Sequence, residues 1–313
     1  MINSMKQITY SFVIPHHNTP NLLQRLINSI PQREDIEIIV VDNNSDEDKK
    51  ANIIRSDVRT IYIDKVQTKG AGHARNVGMD NASGKWLLFA DSDDFYKPNF
   101  IEVLDEYKDD DIEILFFNIE SVDSETLEPM EMRSRYLNQL IDDYENSKIS
   151  SDAFLYMSWS PWRKMQQLSF IRKHGLRFEE IPVGNDVFFA FQTGYFVKKW
   201  KVDKRPIYIV SFNRYSLTYN PHHTTKYKTI LYSLRKRAKF FAFIGHSDWN
   251  KCSTKGKNKN SVFRYIGKNL YRHPFHGIKI LIFYLTHFVD IERESNHYVD
   301  VIKRIDQNQG SNR

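Results

Sequence analysis

Five consecutive residues, Trp86-Leu87-Leu88-Phe89-Ala90, are apolar or small, and three carboxylates, Asp91, Asp93 and Asp94, follow at once. A run that short without helical periodicity suits a strand in a sheet covered on both faces. Unpaired carboxylates are costly inside such a sheet, so the acidic turn is expected just past the strand's carboxyl end. That edge is where open α/β sheets bind ligands. An acid-residue-acid turn lets Asp91 and Asp93 converge on one hard cation whose remaining positions go to water and phosphate oxygens. The same residue types also make an ordinary solvated turn, so the surroundings must decide.

The chain before this turn repeats one pattern. Residues 10–14 read as a strand, closed by Pro15-His16-His17-Asn18-Thr19-Pro20, a loop whose two prolines suit neither a helix nor a central strand. Leu22, Leu23, Leu26, Ile27 and Ile30 mark one face of a helix over residues 21–30. Residues 36–41 form a second strand, which ends in Asp42-Asn43-Asn44-Ser45-Asp46 before a polar helix over 47–55. Asp42 can accept a hydrogen bond from a nucleobase imide or cap the next helix. After a third short strand at 61–63, the segment from Lys69 through Gly70, Gly72 and Gly78 opens a helix. Its glycines allow close backbone approach and its free amides suit an anion, although glycines also serve helix-on-sheet packing. The spacing is not Gly-x-Gly-x-x-Gly, so NAD is not inferred. Strand and helix alternating over the first 100 residues predict an α/β fold with a mostly parallel sheet flanked by helices.

In order, Pro15 to Asn18, Val41-Asp42 with Ser45, Gly70 to Gly78 around Ala74-Arg75-Asn76, and Asp91 to Asp94 resemble the inverting glycosyltransferases of family 2, which have the GT-A fold and use nucleotide-sugar donors. The resemblance implies that Asp42 binds the base, with uracil expected, and that Pro15 and His17 line the base and ribose. It places Lys69, Gly72, Asp91 and Ser92 in the nucleotide-sugar site. It also assigns a divalent Mg or Mn to Asp91 and Asp93, Asp93 most directly. His17 stands where the family often has an aromatic residue, and an imidazole can still stack on a base.

Farther on, residues 112–119 read as a strand and 120–151 as a polar loop with short helices. Trp159 and Trp162 flank Pro161 and are either core or a sugar-stacking wall. Gly184-Asn185-Asp186 precedes an apolar helix, where Asp is commonly an N-cap. The resemblance extends to this segment and makes Asp186 the catalytic base. Asn185 stands where the family has Glu; loss of that like charge lowers the basicity of Asp186 and bears on acceptor choice. Asn185, Trp159 and Trp162 are the acceptor-side candidates. The likeness ends near residue 220, which suggests a catalytic domain over 1–220, with a nucleotide-sugar half to 100 and an acceptor half beyond, and a basic helical subdomain over 221–313.

Charge is divided in the same way: residues 1–200 carry a net −9 and residues 201–313 a net +15. A basic tail on an acidic region suits an anionic surface. In the tail, Tyr227, Ile230, Leu231, Leu234, Ala238 and Phe241 have helical spacing, residues 251–259 read as a lysine-rich linker, and 277–289 is an apolar run too short to span a bilayer. That run suits either packing against the catalytic domain or shallow membrane contact. The single Cys252 fits a reducing compartment, and the polar first residues show no secretory signal, so a cytoplasmic protein, peripheral on the membrane, is expected. The partners expected are a nucleotide-sugar donor and a glycan or lipid-linked saccharide acceptor, without nucleic acid. The alternatives are a nucleotidyltransferase-like enzyme, which would not need Asp186, and a non-catalytic carbohydrate- or nucleic-acid-binding module, which would not need the acidic turn.

Overall fold

Among the described residues, eight strands form one sheet: β1 (Tyr10–His16), β2 (Ile36–Asn43), β3 (Val58–Ile63), β4 (Trp86–Phe89), β5 (Phe95–Tyr96), β6 (Ile114–Asp123), β7 (Lys164–Gln167) and β8 (Trp200–Phe212). The computed structural model describes residues 7–51, 53, 55–65, 69–131, 134–181, 184–212, 226–246 and 262–310. The strand order is β3-β2-β1-β4-β7-β6-β8-β5. From β3 to β4 all neighbours are parallel. β7 then runs antiparallel to both β4 and β6, while β8 is parallel to β6 and antiparallel to β5. The sheet is therefore mixed, with four of its seven neighbouring pairs parallel and its first four strands parallel throughout. The reversal is made by β7, whose four residues Lys164-Met165-Gln166-Gln167 carry no apolar run.

β4 has partners on both edges, and all four of its residues are buried. β1 continues through Pro15 to His16, farther than predicted. Its pairing with β4 ends at Val13, so Pro15, opposite Val41, has a strand on one side only and its missing N–H breaks no ladder there. Among the described residues, seven helices belong to this unit: α1 (Pro20–Ser29), α2 (Ala71–Asn81), α3 (Phe100–Asp105), α4 (Ser134–Glu145), α5 (Ser151–Met157), α6 (Leu168–Lys173) and α7 (Asn185–Phe196). Gly78 lets α2 lie on β1, since a Cβ there would stand 2.3 Å from a Val13 methyl. The helix predicted over 47–55 is a single 3-10 turn, Glu47–Lys49, because its polar residues offer no apolar face to bury. The loop predicted from residue 120 begins later, since β6 runs to Asp123, and α4 buries Leu137, Leu140 and Ile141.

The chain divides into two compact units, Met1–Asn220 and Pro221–Arg313. In the second, α8 (Lys226–Phe243), α9 (Val262–Arg272), α10 (Pro274–Thr286) and α11 (Phe288–Gly310) enclose Leu231, Val262, Ile266, Ile280, Tyr284 and Ile291. Glu292 of α11 pairs with Arg235 and Lys239 of α8, which uses part of the basic charge internally. The apolar run 277–289 is interrupted at His287 and belongs to two helices. The linker read at 251–259, with Cys252, lies outside the described residues. Among the described residues no helix is long and apolar enough to cross a membrane.

Candidate active site

The loops after β1 and β2 are joined by side chains that favour turns. Asn18, in the left-handed region at φ 58°, donates its amide to Asp46 Oδ2 and accepts the Asp46 N–H, while its own N–H donates to Ser45 Oγ. His17 is exposed, with Nδ1 3.1 Å from the Asn43 carbonyl. Pro15 is buried in β1 beneath these loops. Asp42 is 1 % exposed, and its two oxygens accept the N–H groups of Ser45 (2.9 Å) and Ala51 (3.0 Å). Asp42 thus folds its own loop, and the N-cap of the following turn Glu47–Lys49 is Asp46. His16 packs against Asp42, and burial lowers its pKa.

The acidic turn after β4 sorts its three carboxylates. The Asp94 N–H closes the turn on the Asp91 carbonyl, and the Asp94 side chain points inward, 3 % exposed, to accept the Ser211 N–H at 2.7 Å. Burial, then the charges of Asp93 and Asp91, push its pKa well up. Asp94 is thus a fastening to β8, and Asp91 and Asp93 remain partly exposed. The Asp91 N–H donates to the Tyr208 hydroxyl (2.9 Å), and Arg25 donates to the Asp93 carbonyl (2.6 Å). Ser92 Oγ lies 3.0 Å from Thr19 Oγ1, which ties the turn to the β1 loop.

Arg75 on α2 connects this turn with α7. One Nη donates to Asp91 Oδ1 at 2.5 Å and the other to Asn185 Oδ1 at 2.7 Å. Asn185 and Asp186 occupy the first turn of α7, after Gly184 in the left-handed region at φ 74°. There the helix dipole favours an anion. Burial opposes it and prevails: the Asp186 pKa is raised, although Arg75 and Lys164 draw it down. Lys164 of β7 is itself buried, and burial pushes its ammonium down to about 7. The sequence motif contained Arg75 without assigning it a role; the available signal was one long cation in a helix start otherwise chosen for small residues.

Two candidates prove to be packing. A Cβ on Gly72 would stand 2.0 Å from the Glu179 carbonyl oxygen, so its bareness accommodates the protein's own backbone and not a ligand. Gly72→Ala should therefore destabilise the fold by about 1–3 kcal/mol, read as a lower urea midpoint with unchanged slope. Trp162 is 5 % exposed and stacks on Tyr208, ring centroids 5.4 Å apart, so it supports the residue that holds Asp91 and presents no wall to a sugar. Trp159 is half-buried and donates its indole N–H to the Tyr156 carbonyl. Lys69 is exposed and pairs with Glu180 at 2.9 Å, beside His73 on the same carboxylate.

Among the described residues no group of three or more His, Cys, Asp or Glu is poised to hold a metal. The donor set at Asp91 and Asp93 instead suits Mg or Mn, which binds through one or two carboxylates together with substrate phosphates.

Residues 11–160 match the family model for glycosyl transferase family 2. The likeness to that family covers just under half of the chain. The chain is 34% identical over 98 residues to the glycosyltransferase GlyA of Streptococcus pneumoniae, covering 29% of this chain and 14% of that one. It is 37% identical over 90 residues to the GalNAc(5)-diNAcBac-PP-undecaprenol beta-1,3-glucosyltransferase of Campylobacter jejuni, covering 27% of this chain and 29% of that one. The match to EpsH of Bacillus subtilis, 24% identical over 214 residues, covers 65% of this chain and 61% of that one. The chain thus spans less than two thirds of these relatives' lengths. In fold it is similar to Staphylococcus aureus TarS 1-349 in complex with UDP-GlcNAc, with TM-score 0.58 at 14% identity, covering 98% of this chain and 93% of that one. The α/β, GT-A type fold follows.

Proposed function

We propose that the chain is an inverting, metal-dependent glycosyltransferase that moves a sugar from a nucleoside diphosphate donor, UDP foremost, to a hydroxyl of a glycan or lipid-linked saccharide in surface-polysaccharide or glycan assembly. One observation carries the reading. Arg75 contacts both Asp91 and Asn185, so the turn suited to a diphosphate and the residue beside Asp186 meet at one side chain. A sugar held between them would have its leaving group toward Asp91 and Asp93 and its other face toward Asp186. Direct displacement at the anomeric carbon inverts it and needs one base. Asp186 takes the acceptor hydroxyl's proton as that oxygen bonds to the anomeric carbon, and the breaking bond leaves its electron pair on the diphosphate. Mg or Mn held by Asp91 and Asp93 would supply Lewis-acid stabilisation to the leaving diphosphate.

In this reading Pro15, His17 and Asp42 form the base and ribose end, Asp42 through the lone pairs its loop does not use. Ser92 and Lys69 flank the phosphates. Trp159 and Asn185 lie on the acceptor side. The UDP-GlcNAc complex of the staphylococcal neighbour supports a UDP-sugar, and the undecaprenol-linked acceptor in the Campylobacter relative's name supports a lipid-linked one. A lone cysteine supports a cytoplasmic setting.

The test is calorimetric titration of UDP with Mn and with EDTA. Asp93→Ala should lose the Mn-dependent part of the affinity, on the order of tenfold or more for one charge-assisted ligand. Equal UDP affinity for parent and variant, with and without Mn, would remove the turn from the donor site.

A further inference from the structure

The second unit carries an apolar face that its own core leaves uncovered. α10 is apolar on two sides. Gly277, Ile280 and Tyr284 face inward, Gly277 so closely that a Cβ would meet the Leu270 backbone at 2.4 Å. On the other side Phe275, Ile278, Ile282 and Leu285 are 86%, 47%, 55% and 66% exposed. They recur at three- and four-residue steps, so they form one stripe along the helix. Val289, 74% exposed, follows at the start of α11. Aligned side chains of this size are not scattered surface hydrophobics and call for a partner.

Charge identifies the partner. From Val262 to Val289 the sequence holds Arg264, Lys268, Arg272 and Lys279 and not one Asp or Glu. Lys279, one residue after Ile278 and three before Ile282, is exposed at the stripe's edge. Pairing two copies through this face would bring their Arg272 and Lys279 side chains together with no carboxylate from these helices to answer them. An anionic lipid surface answers both properties at once. Thirteen residues are too few to span a bilayer but suit a helix lying in the headgroup region with its stripe in the acyl boundary.

We propose that α9 and α10 dock the protein on an anionic bilayer, with Phe275, Ile278, Ile282 and Leu285 inserted and Arg272 and Lys279 at the headgroups. This inference rests on the second unit and not on the transfer reaction. The test is co-sedimentation of the full chain with phosphatidylglycerol-containing vesicles and with pure phosphatidylcholine vesicles. Binding is expected to the first, at least tenfold weaker to the second, and reduced by added salt. Arg272→Gln/Lys279→Gln should weaken it by roughly fivefold for each cation removed. Ile278→Ser/Ile282→Ser/Leu285→Ser should weaken it tenfold or more, with the circular dichroism and the UDP affinity of the parent. Indifference to lipid charge, or unchanged binding by the triple serine variant, would overturn the proposal. So would a concentration-dependent dimer that the triple variant abolishes, which would assign the face to a second copy. No vesicle binding by the parent chain, with its UDP binding intact, would cancel this inference and leave the proposed function standing.

Discussion

Asp186→Asn should bind UDP and Mn as the parent does and transfer sugar roughly 10²–10⁴-fold more slowly, the range over which a positioned general base acts. The amide keeps the shape of the carboxylate in the first turn of α7 and removes the proton acceptor. The pH profile supplies a second readout. Burial raises the Asp186 pKa, so the acidic limb of kcat/KM in the parent should lie above the ordinary carboxylate value of 3.8. The same shift has a stability counterpart. The folded chain holds this proton more tightly than the unfolded one, so its contribution to stability is full below the unfolded pKa and is lost as pH rises through the folded pKa. Rate and stability should therefore change in opposite directions across that window. Turnover by Asp186→Asn within a few fold of the parent would show that another group takes the proton.

The second large effect belongs to Arg75. Arg75→Ala removes two hydrogen bonds from a buried guanidinium, one to a carboxylate, and should cost about 2–3 kcal/mol of stability by urea unfolding. It also withdraws a cation that lowers the Asp186 pKa, so the acidic limb should move to higher pH. Arg75→Lys should not restore either quantity in full, because one ammonium cannot serve two acceptors on different helices and turns as a planar fork does. Parent stability and an unmoved pH profile in Arg75→Lys would mean that its charge alone matters.

What could be read from the sequence follows how local each signal is. The β4 strand and its acidic turn were legible because four buried residues with partners on both edges must all be apolar, and because the carboxylates end such a strand. β7 was not, because its place between β4 and β6 is fixed by contacts more than 40 residues away and its own residues are Lys, Met and Gln. The division of labour within the turn was equally hidden. Asp91, Asp93 and Asp94 are identical as letters, and only the distant Ser211 N–H and Tyr208 hydroxyl make Asp94 inward-facing and Asp91 fixed. Gly72 and Trp162 were open to two readings for a related reason: a bare Cα and a large ring serve a ligand or a neighbour equally well, and the neighbours here, Glu179 and Tyr208, are remote in sequence. The two compact units divide after Asn220, whereas the family model ends at residue 160.

The turn's three acidic letters overstate its pull on a cation. Asp94 is drawn toward its neutral form, and Arg75 already answers Asp91. Under the proposed function, such a turn would hold a divalent ion weakly until a diphosphate brought its own negative charge, so that ion and donor would enter as one package and depart as one.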